Sequence, residues 1–402
     1  MTAFELIRAG EVVGCYPWPR YVLSQAAWFE MARALRREPW LRFLALWADG
    51  TAVHALFEGD APVVVSVVVE AGLYAALSPG RPGAALFERA VADLWGHQAA
   101  DAVDVRPWLD HGVWPMLRPL SDRPVPNTAA DGAEPEVPEM MEVAGDAVGV
   151  GPLPPTFSGP AVWRVTVGDG VVRRLEGRFG WGHRGVLGLM RGKSAGAAAR
   201  LVGRIDGGAT VAHATAFARA VEAAAGLEAP AAAQGARILM LALERLAVGL
   251  EGVRREAVLR ACKAVFGHRL MMDVVRPGGV GCDLAVEGLM ALDEMLAGLG
   301  GGEAVEAARV AVANVPAGVV AVVLPHREAE GLGVAEGPAG AVWHWVRMGG
   351  GVVVASFAAG PEWLMVPALE RGAVGLGFDG VGGVAGGVAE HLAGLRVGGI
   401  DL

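Results

Sequence analysis

The sequence is poor in the residues that build sulfur-based sites. Cys15, Cys262 and Cys282 are its three cysteines in 402 residues. They are too few and too scattered for a disulfide framework or a zinc site, and they fit a reducing compartment. Lysine occurs twice, at Lys193 and Lys263; every other basic residue is arginine. Tyrosine does not occur after Tyr74. Positive charge is outweighed: the net charge is −9 and the isoelectric point about 5.6. That gives no general basis for holding phosphate backbones, so no nucleic-acid partner is expected. Long apolar runs are missing too. The longest, residues 310–325, spans 16 residues and contains Asn314 and Pro316. A spanning helix needs about 20, so an integral membrane protein is not expected. Glu5, Arg8 and Glu11 interrupt the N-terminus, which has no apolar core of a signal peptide.

What is present is a chain that can bury a large core. Hydrophobic residues make up 53% and charged ones 19%, and the length suggests two or three domains. Glycine, at 59 residues, is about twice its usual share. The Ala/Gly/Val/Arg richness reads as the codon bias of a GC-rich genome.

The expected fold class is α+β, in three parts. Residues 1–115 read as a small α/β domain. Residues 25–37 form an amphipathic helix with Trp28, Met31, Ala32 and Leu35 on one face. Strands follow at 41–47, 52–57 and 62–69, with turns at Asp49-Gly50 and Gly59-Asp60. A second helix covers 84–95. Residues 116–150 are a linker: Pro119, Pro124, Pro126, Pro135 and Pro138 fall among Asp131, Glu134, Glu136, Glu139 and Glu142, without a periodic apolar face. Residues 151–402 open on a hairpin, 162–167 and 171–175 around Gly168-Asp169-Gly170. A helix bundle at about 195–203, 209–225, 234–250, 254–266 and 283–299 comes next. A mixed C-terminal part ends the chain, with a strand at 319–324, a hairpin at 341–348 and 352–357, and a helix at 361–371. From Gly372 no element is expected before Val388.

Generic chemical motifs are weak. The nine histidines never fall within four residues of one another, and no Cys-x-x-Cys occurs, so no local metal site is expected. Gly192-Lys193-Ser194-Ala195-Gly196 matches the Gly-x-Ser-x-Gly of a nucleophile elbow, which requires a strand before the serine. The stretch before it can be helical, so Ser194 reads as a helix cap. The same stretch misses a phosphate-binding loop by one residue after Gly188. Gly375-Leu376-Gly377-Phe378-Asp379-Gly380 matches a dinucleotide fingerprint, but a helix precedes it where a strand is required. Alone, His183 reads as a surface or interface residue and His213 as a satisfied core histidine.

Four segments together resemble one family. They are Gly151-Pro152; Arg178-Phe-Gly-Trp-Gly-His-Arg-Gly185 with Met190-Arg-Gly-Lys-Ser194; Arg204-Ile-Asp-Gly-Gly-Ala-Thr-Val-Ala-His213; and Phe266-Gly-His-Arg-Leu-Met-Met-Asp-Val-Val-Arg-Pro-Gly-Gly-Val280. They are similar to the large subunits of energy-converting [NiFe]-hydrogenases and to the quinone-site subunit of respiratory complex I. Phe87-Glu-Arg-Ala-Val-Ala-Asp-Leu-Trp-Gly96, with residues 104–111, resembles that subunit's peripheral partner, which hydrogenase relatives often carry fused across an acidic linker.

The resemblance also exposes departures. Where the family's first metal motif has two cysteines, this chain aligns Asp206 and Ala209, and no cysteine follows Cys282. Four thiolates hold nickel and iron in that family, so a [NiFe] site is not expected. The hairpin loop 153–158 lacks the histidine of a quinone site, and Gly207 aligns with its tyrosine. Val248-Gly249 replaces a polar Asn-His pair after Leu241-Ala-Leu-Glu-Arg-Leu246.

The resemblance thus implies an oxidoreductase-family subunit, of the NADH:quinone oxidoreductase or hydrogenase kind, whose own active site is lost. It would sit peripherally on the cytoplasmic side of the inner membrane. There it would act as a scaffold docking a small iron–sulfur subunit onto antiporter-like membrane subunits. It would bind no cofactor itself; the iron–sulfur cluster belongs to the partner, and NAD would act elsewhere in the complex. The alternative is a working subunit that passes electrons from an NADH- or ferredoxin-fed chain to quinone through a rebuilt site. Candidate residues for the quinone or partner interface are His183, Arg184, Arg204, Asp206, His213 and Arg276. Asp206 is expected to pair with one of these arginines.

Overall fold

A computed structural model describes residues 1–129, 143–150, 162–179, 184–318 and 320–378. The described chain mixes helix and sheet and falls into two compact units. One contains Met1–Val13, Trp18–His183 and Glu362–Leu402; the other Gly14–Pro17 and Arg184–Pro361. These units do not follow the expected sequence boundaries. The 162–178 hairpin, expected to open the second domain, groups with the N-terminal residues, and so does the helix Glu362–Gly372.

The first unit is built on a five-stranded sheet. Its order is Glu11–Val13, Arg20–Leu23, Pro62–Val68, Ala52–Glu58, Arg42–Ala48, antiparallel except where Arg20–Leu23 runs parallel to Pro62–Val68. The three long strands have almost uninterrupted apolar sequences. They are buried along nearly their whole length, the pattern of a sheet covered on both faces. Both expected hairpin turns form. At the first, Asp49 accepts the N–H groups of Thr51 and Ala52, an Asx turn that needs a short acidic side chain at that position. Ser24 caps the helix Gln25–Ala34 and turns its Trp28, Met31 and Ala32 into the core. The helix Ala85–Trp95 ends on Gly96, whose left-handed φ of 84° suits a residue without Cβ.

The linker segment carries structure that its composition hides. Met116–Leu117 pairs with Val125–Pro126, and Asp146–Val150 adds a third strand to the hairpin Val162–Gly168 and Val171–Arg178. Backbone pairing requires no apolar period, so the missing period was a poor guide. Residues 130–142, with Asp131, Glu134, Glu136, Glu139 and Glu142 of the expected linker, lie outside the described residues. The hairpin is held in the first unit by aromatic contacts. Trp363 stacks on Phe87 with ring centroids 4.8 Å apart, Trp108 meets Trp363 at 5.1 Å, and Phe179 meets Trp108 and Trp163.

The second unit packs helices against a four-stranded sheet ordered Val352–Ala359, Ala341–Gly349, Ala329–Glu336, Cys15–Tyr16. The last pair is parallel, the others antiparallel. The helix Thr210–Ala225, TVAHATAFARAVEAAA, lies flush on Ala329–Glu336. Its alanines make this possible, and so do Gly331 and Gly333. A Cβ on Gly331 would collide with the Ala220 carbonyl, and one on Gly333 with the Ala216 carbonyl. The helices Ala231–Gly249, Gly252–Phe266, Val286–Gly298 and Glu303–Ala313 complete a core rich in Ala, Leu and Val.

Most expected bundle helices form within a few residues of their expected ends. The helix Glu303–Ala313 and the strand Ala329–Glu336 were not expected. The strand expected at 319–324 is absent among its described residues, which make one bridge, Gly279 to Ala321. Residues 379–402 and the hairpin loop 151–161 lie outside the described residues. No helix among the described residues is long and apolar enough to cross a membrane.

Candidate functional site

The residues singled out by sequence lie mainly in the second unit, around the N-terminus of Thr210–Ala225. His183 lies outside the described residues. Arg184 and Arg204 come together: the Arg184 guanidinium donates to the Arg204 carbonyl at 2.9 Å. Arg204 does not pair with Asp206. Its two terminal nitrogens donate to both carboxylate oxygens of Asp273, at 2.8 and 2.9 Å. Asp273 sits at φ 64°, a conformation that short acidic side chains tolerate better than most. The hydrogen bonds from Arg204 hold the Asp273 carboxyl below its usual range.

The expected ion pair to Asp206 is therefore corrected. The Asp206 carboxylate accepts the Gly208 N–H at 2.8 Å and closes a local turn. A fixed backbone donor two residues away requires no long side chain to be ordered, whereas an ion pair would. Arg276 contributes its carbonyl to the interior. Its guanidinium lies over Gly281, and no described hydrogen bond or ion pair joins it to the Asp273 carboxylate that holds Arg204.

Behind this surface the site closes. Ala209 is 8% exposed. Just beyond it, Glu244 reaches across from Ala231–Gly249 and accepts the N–H groups of Val211 (2.6 Å) and Ala212 (3.0 Å). These belong to the first turn of Thr210–Ala225, which lacks a side-chain cap of its own. Burial pushes the Glu244 carboxyl up to about 8, only partly offset by those two N–H groups. One turn further, His213 and His344 are buried and face each other, Nδ1 to Nε2, at 3.0 Å. Burial keeps both imidazoles neutral, with pKa values below the usual histidine range.

The raised Glu244 pKa has a definite sign. The folded carboxyl keeps its proton where the unfolded one, near 4.5, has lost it. The stabilisation is complete below pH 4.5 and is lost as pH rises through about 8, by about 5 kcal/mol in total. Glu244→Gln is expected to flatten stability against pH over that window. It also sacrifices one N–H acceptor, at about 1 kcal/mol. Chemical denaturation of both proteins between pH 5 and 8.5 checks this; parallel profiles would contradict it.

The segment 266–280 is fixed by a second buried device. Arg237 and Glu222 form a bidentate pair at 2.6 and 3.0 Å, both almost fully buried. Arg237 also donates to the carbonyls of Arg276 and Gly279, and Glu222 accepts the Gly278 N–H. The turn Arg276-Pro277-Gly278-Gly279 is thus clamped from both sides.

Other motifs resolve plainly. Ser194 caps Ala195–Val202, its hydroxyl accepting the Ala197 N–H, and a helix, Val186–Met190, precedes it where an elbow needs a strand. A helix, Glu362–Gly372, also precedes Gly375 and Gly377, so the dinucleotide geometry is absent there. Among the described residues no three His, Cys, Asp or Glu side chains converge as metal ligands. Residues 206 and 209 offer a hydrogen-bonded carboxylate and a methyl group, a donor set that does not fit a nickel–iron centre held by four thiolates. Glu244, His344 and Asp273 were not selected from the sequence. The metal-motif resemblance pointed to their neighbourhood, but their partners lie 32, 131 and 69 residues away.

Comparison with known proteins agrees with the fold. No protein-family model matches the chain. It is 30% identical over 195 residues to "Formate hydrogenlyase subunit 5" of Escherichia coli K12, a match covering 46% of this chain and 34% of that protein. The chain thus spans about a third of the length of this curated relative. A chain of the Ni-Fe-Se hydrogenase of Desulfovibrio vulgaris Hildenborough superposes with a TM-score of 0.53 at 12% identity, over 62% of this chain and 98% of that one. A chain of the Ni-Fe-Se hydrogenase of Desulfomicrobium baculatum gives 0.55 at 10% identity, with the same coverage. The fold is hydrogenase-like.

Proposed function

We propose that this chain is a hydrogenase-like subunit of a membrane-associated electron-transfer complex, retained as a scaffold. It docks a small iron–sulfur subunit onto antiporter-like membrane subunits and holds no [NiFe] centre. One observation carries this reading. Where the resemblance places metal-binding thiolates, Asp206 is engaged with Gly208 and Ala209 is buried, and beside them Glu244 holds the next two N–H groups and His213 meets His344. The likeness to a formate hydrogenlyase subunit supports a place in a multisubunit assembly. The chain would lie peripherally on the cytoplasmic side of the membrane. The half-exposed Arg184–Arg204–Asp273 surface would offer charge to the partner's cluster subunit.

Affinity purification of the tagged chain from detergent-solubilised native membranes tests this. An iron–sulfur subunit and polytopic membrane proteins are expected to co-purify. Arg204→Glu is expected to lower recovery of the iron–sulfur subunit by about tenfold while the chain stays folded, since a charge-assisted bidentate site turns repulsive. Recovery of the chain alone would sink the proposal. Quinone reduction abolished by Arg204→Glu, with the partner still bound, would favour the quinone-reducing alternative.

A further inference from the structure

The second unit exposes an apolar groove that its own core does not fill. Val286–Gly298 and Glu303–Ala313 pack against each other as a helical hairpin across Leu299-Gly300-Gly301-Gly302, with Asp293 facing Arg309 at 3.0 Å. Each helix already turns one face to the core: Leu292 and Leu296 are buried from the first, Val305 and Ala308 from the second. The outer faces are apolar as well. Val286 is 66% exposed, Met290 68% and Val310 52%. With Leu289 they line an open groove of about 850 Å³. A helix that is apolar on two faces ordinarily has both covered, and an exposed apolar patch with a polar rim marks a contact site.

The rim carries one sign of charge. Glu287, Asp293, Glu294 and Glu306 line the groove, and Arg309 is the one cation among its described lining residues. That cation is already engaged: its Nε donates to Asp293 at 3.0 Å, and Nη1 lies 3.8 Å from Glu306. Glu287 and Glu294 stand seven residues apart on one helix, so both project along the same edge. Neither makes an ion pair among the described residues. The cations of the adjoining helix Gly252–Phe266 do not reach them: Arg254 donates to the Leu299 carbonyl and Arg260 turns to Glu256, and no ion pair joins Arg255 or Lys263 to a groove carboxylate among the described residues. Val319, the one residue of this unit outside the described ones, carries no charge.

We propose that the groove between Val286–Gly298 and Glu303–Ala313 docks a basic amphipathic helix of a partner protein. The 13-residue wall Val286–Gly298 is about 20 Å long, so a partner helix of about four turns fills it. Apolar residues at i, i+3, i+4 and i+7 replace water over Val286, Met290 and Val310, and flanking lysines or arginines meet Glu287 and Glu294. An anionic membrane surface does not fit, because the rim would face its phosphates with like charge. The groove shares no residue with the Arg184–Arg204–Asp273 surface, so it stands apart from the scaffold reading.

The test uses the full chain and two fluorescein-labelled helical peptides of about 16 residues. Both carry a leucine stripe at i, i+3, i+4 and i+7; one is flanked by lysine, the other by glutamate. Fluorescence anisotropy is expected to show the lysine peptide bound at least about tenfold more tightly. Glu287→Lys/Glu294→Lys should weaken the lysine peptide by about tenfold and strengthen the glutamate peptide, reversing the preference. Met290→Gln leaves the charge alone and should weaken the lysine peptide a few-fold; it serves if the double variant fails to fold. Glu228→Lys/Glu328→Lys makes the same charge change at exposed positions outside the groove. It should leave both affinities within about twofold, because salt at about 0.15 M screens exposed charges beyond about 8 Å. Failure of the wild type to bind the lysine peptide, equal binding by wild type and groove variants, or an equal loss in Glu228→Lys/Glu328→Lys overturns the proposal. So does sedimentation velocity that shows a wild-type dimer dissociated by Met290→Gln, because a second copy of the chain would then be the occupant.

Discussion

Gly331→Val is expected to unfold the second unit or leave it insoluble. The Cβ of any residue at 331 would fall on the Ala220 carbonyl and next to the Ala224 nitrogen. These are backbone atoms of a buried helix, so no side chain can rotate away. The helix would have to lift off Ala329–Glu336, opening the contact that seats Phe217, Ala220 and Ala224. Overpacking that displaces backbone costs upwards of about 3 kcal/mol, a large part of the roughly 5–15 kcal/mol that holds a domain together. Gly333→Val should behave alike, because its Cβ meets the Ala216 carbonyl. Gly196→Ala is the control. It lies in Ala195–Val202 with nothing within 4 Å of the added carbon, and should be neutral to slightly stabilising, by up to about 1 kcal/mol. Urea denaturation of the three variants measures the contrast; a Gly331→Val protein as stable as Gly196→Ala would refute the flush packing.

Arg237→Leu is expected to cost about 3–5 kcal/mol, because it strands the Glu222 carboxylate in a buried position. The loss does not end with the ion pair. The carbonyls of Arg276 and Gly279 lose their donor, while Gly278 still donates to Glu222. The 266–280 segment should therefore loosen selectively. Hydrogen exchange at the Gly278 and Val280 amides should accelerate by orders of magnitude more than in the first unit, where nothing has changed. Arg237→Leu/Glu222→Leu removes the stranded charge and should recover part of the stability. If the double variant is less stable than the single one, the stranded charge is not the main cost.

How legible the chain was depended on the range of the interactions. Helices punctuated by glycine or a capping serine, such as Thr210–Ala225 ending on Gly226 and Ala195–Val202 beginning on Ser194, could be read from local sequence. So could hairpins with an Asp-Gly turn. Ala329–Glu336 could not, because Gly331 and Gly333 lower its strand propensity. Only the helix that packs on them explains why they are there. Glu303–Ala313 was masked by the glycine run at 300–302 in front of it. The unit boundaries were illegible because Trp363 packs with Phe87 across most of the sequence. At the site, the resemblance directed attention to Arg204 and Asp206, yet the partner of Arg204 is Asp273. The Glu244 clamp and the His213–His344 pair join residues whose spacing carries no periodic signal.

Nickel and iron quantified by elemental analysis, on the complex purified through this chain under anaerobic conditions, test the central claim most directly. The proposed scaffold requires iron from the partner subunit and nickel far below one atom per chain, because residues 206 and 209 present a hydrogen-bonded carboxylate and a methyl group where thiolates would be needed. Nickel at one atom per chain would contradict it.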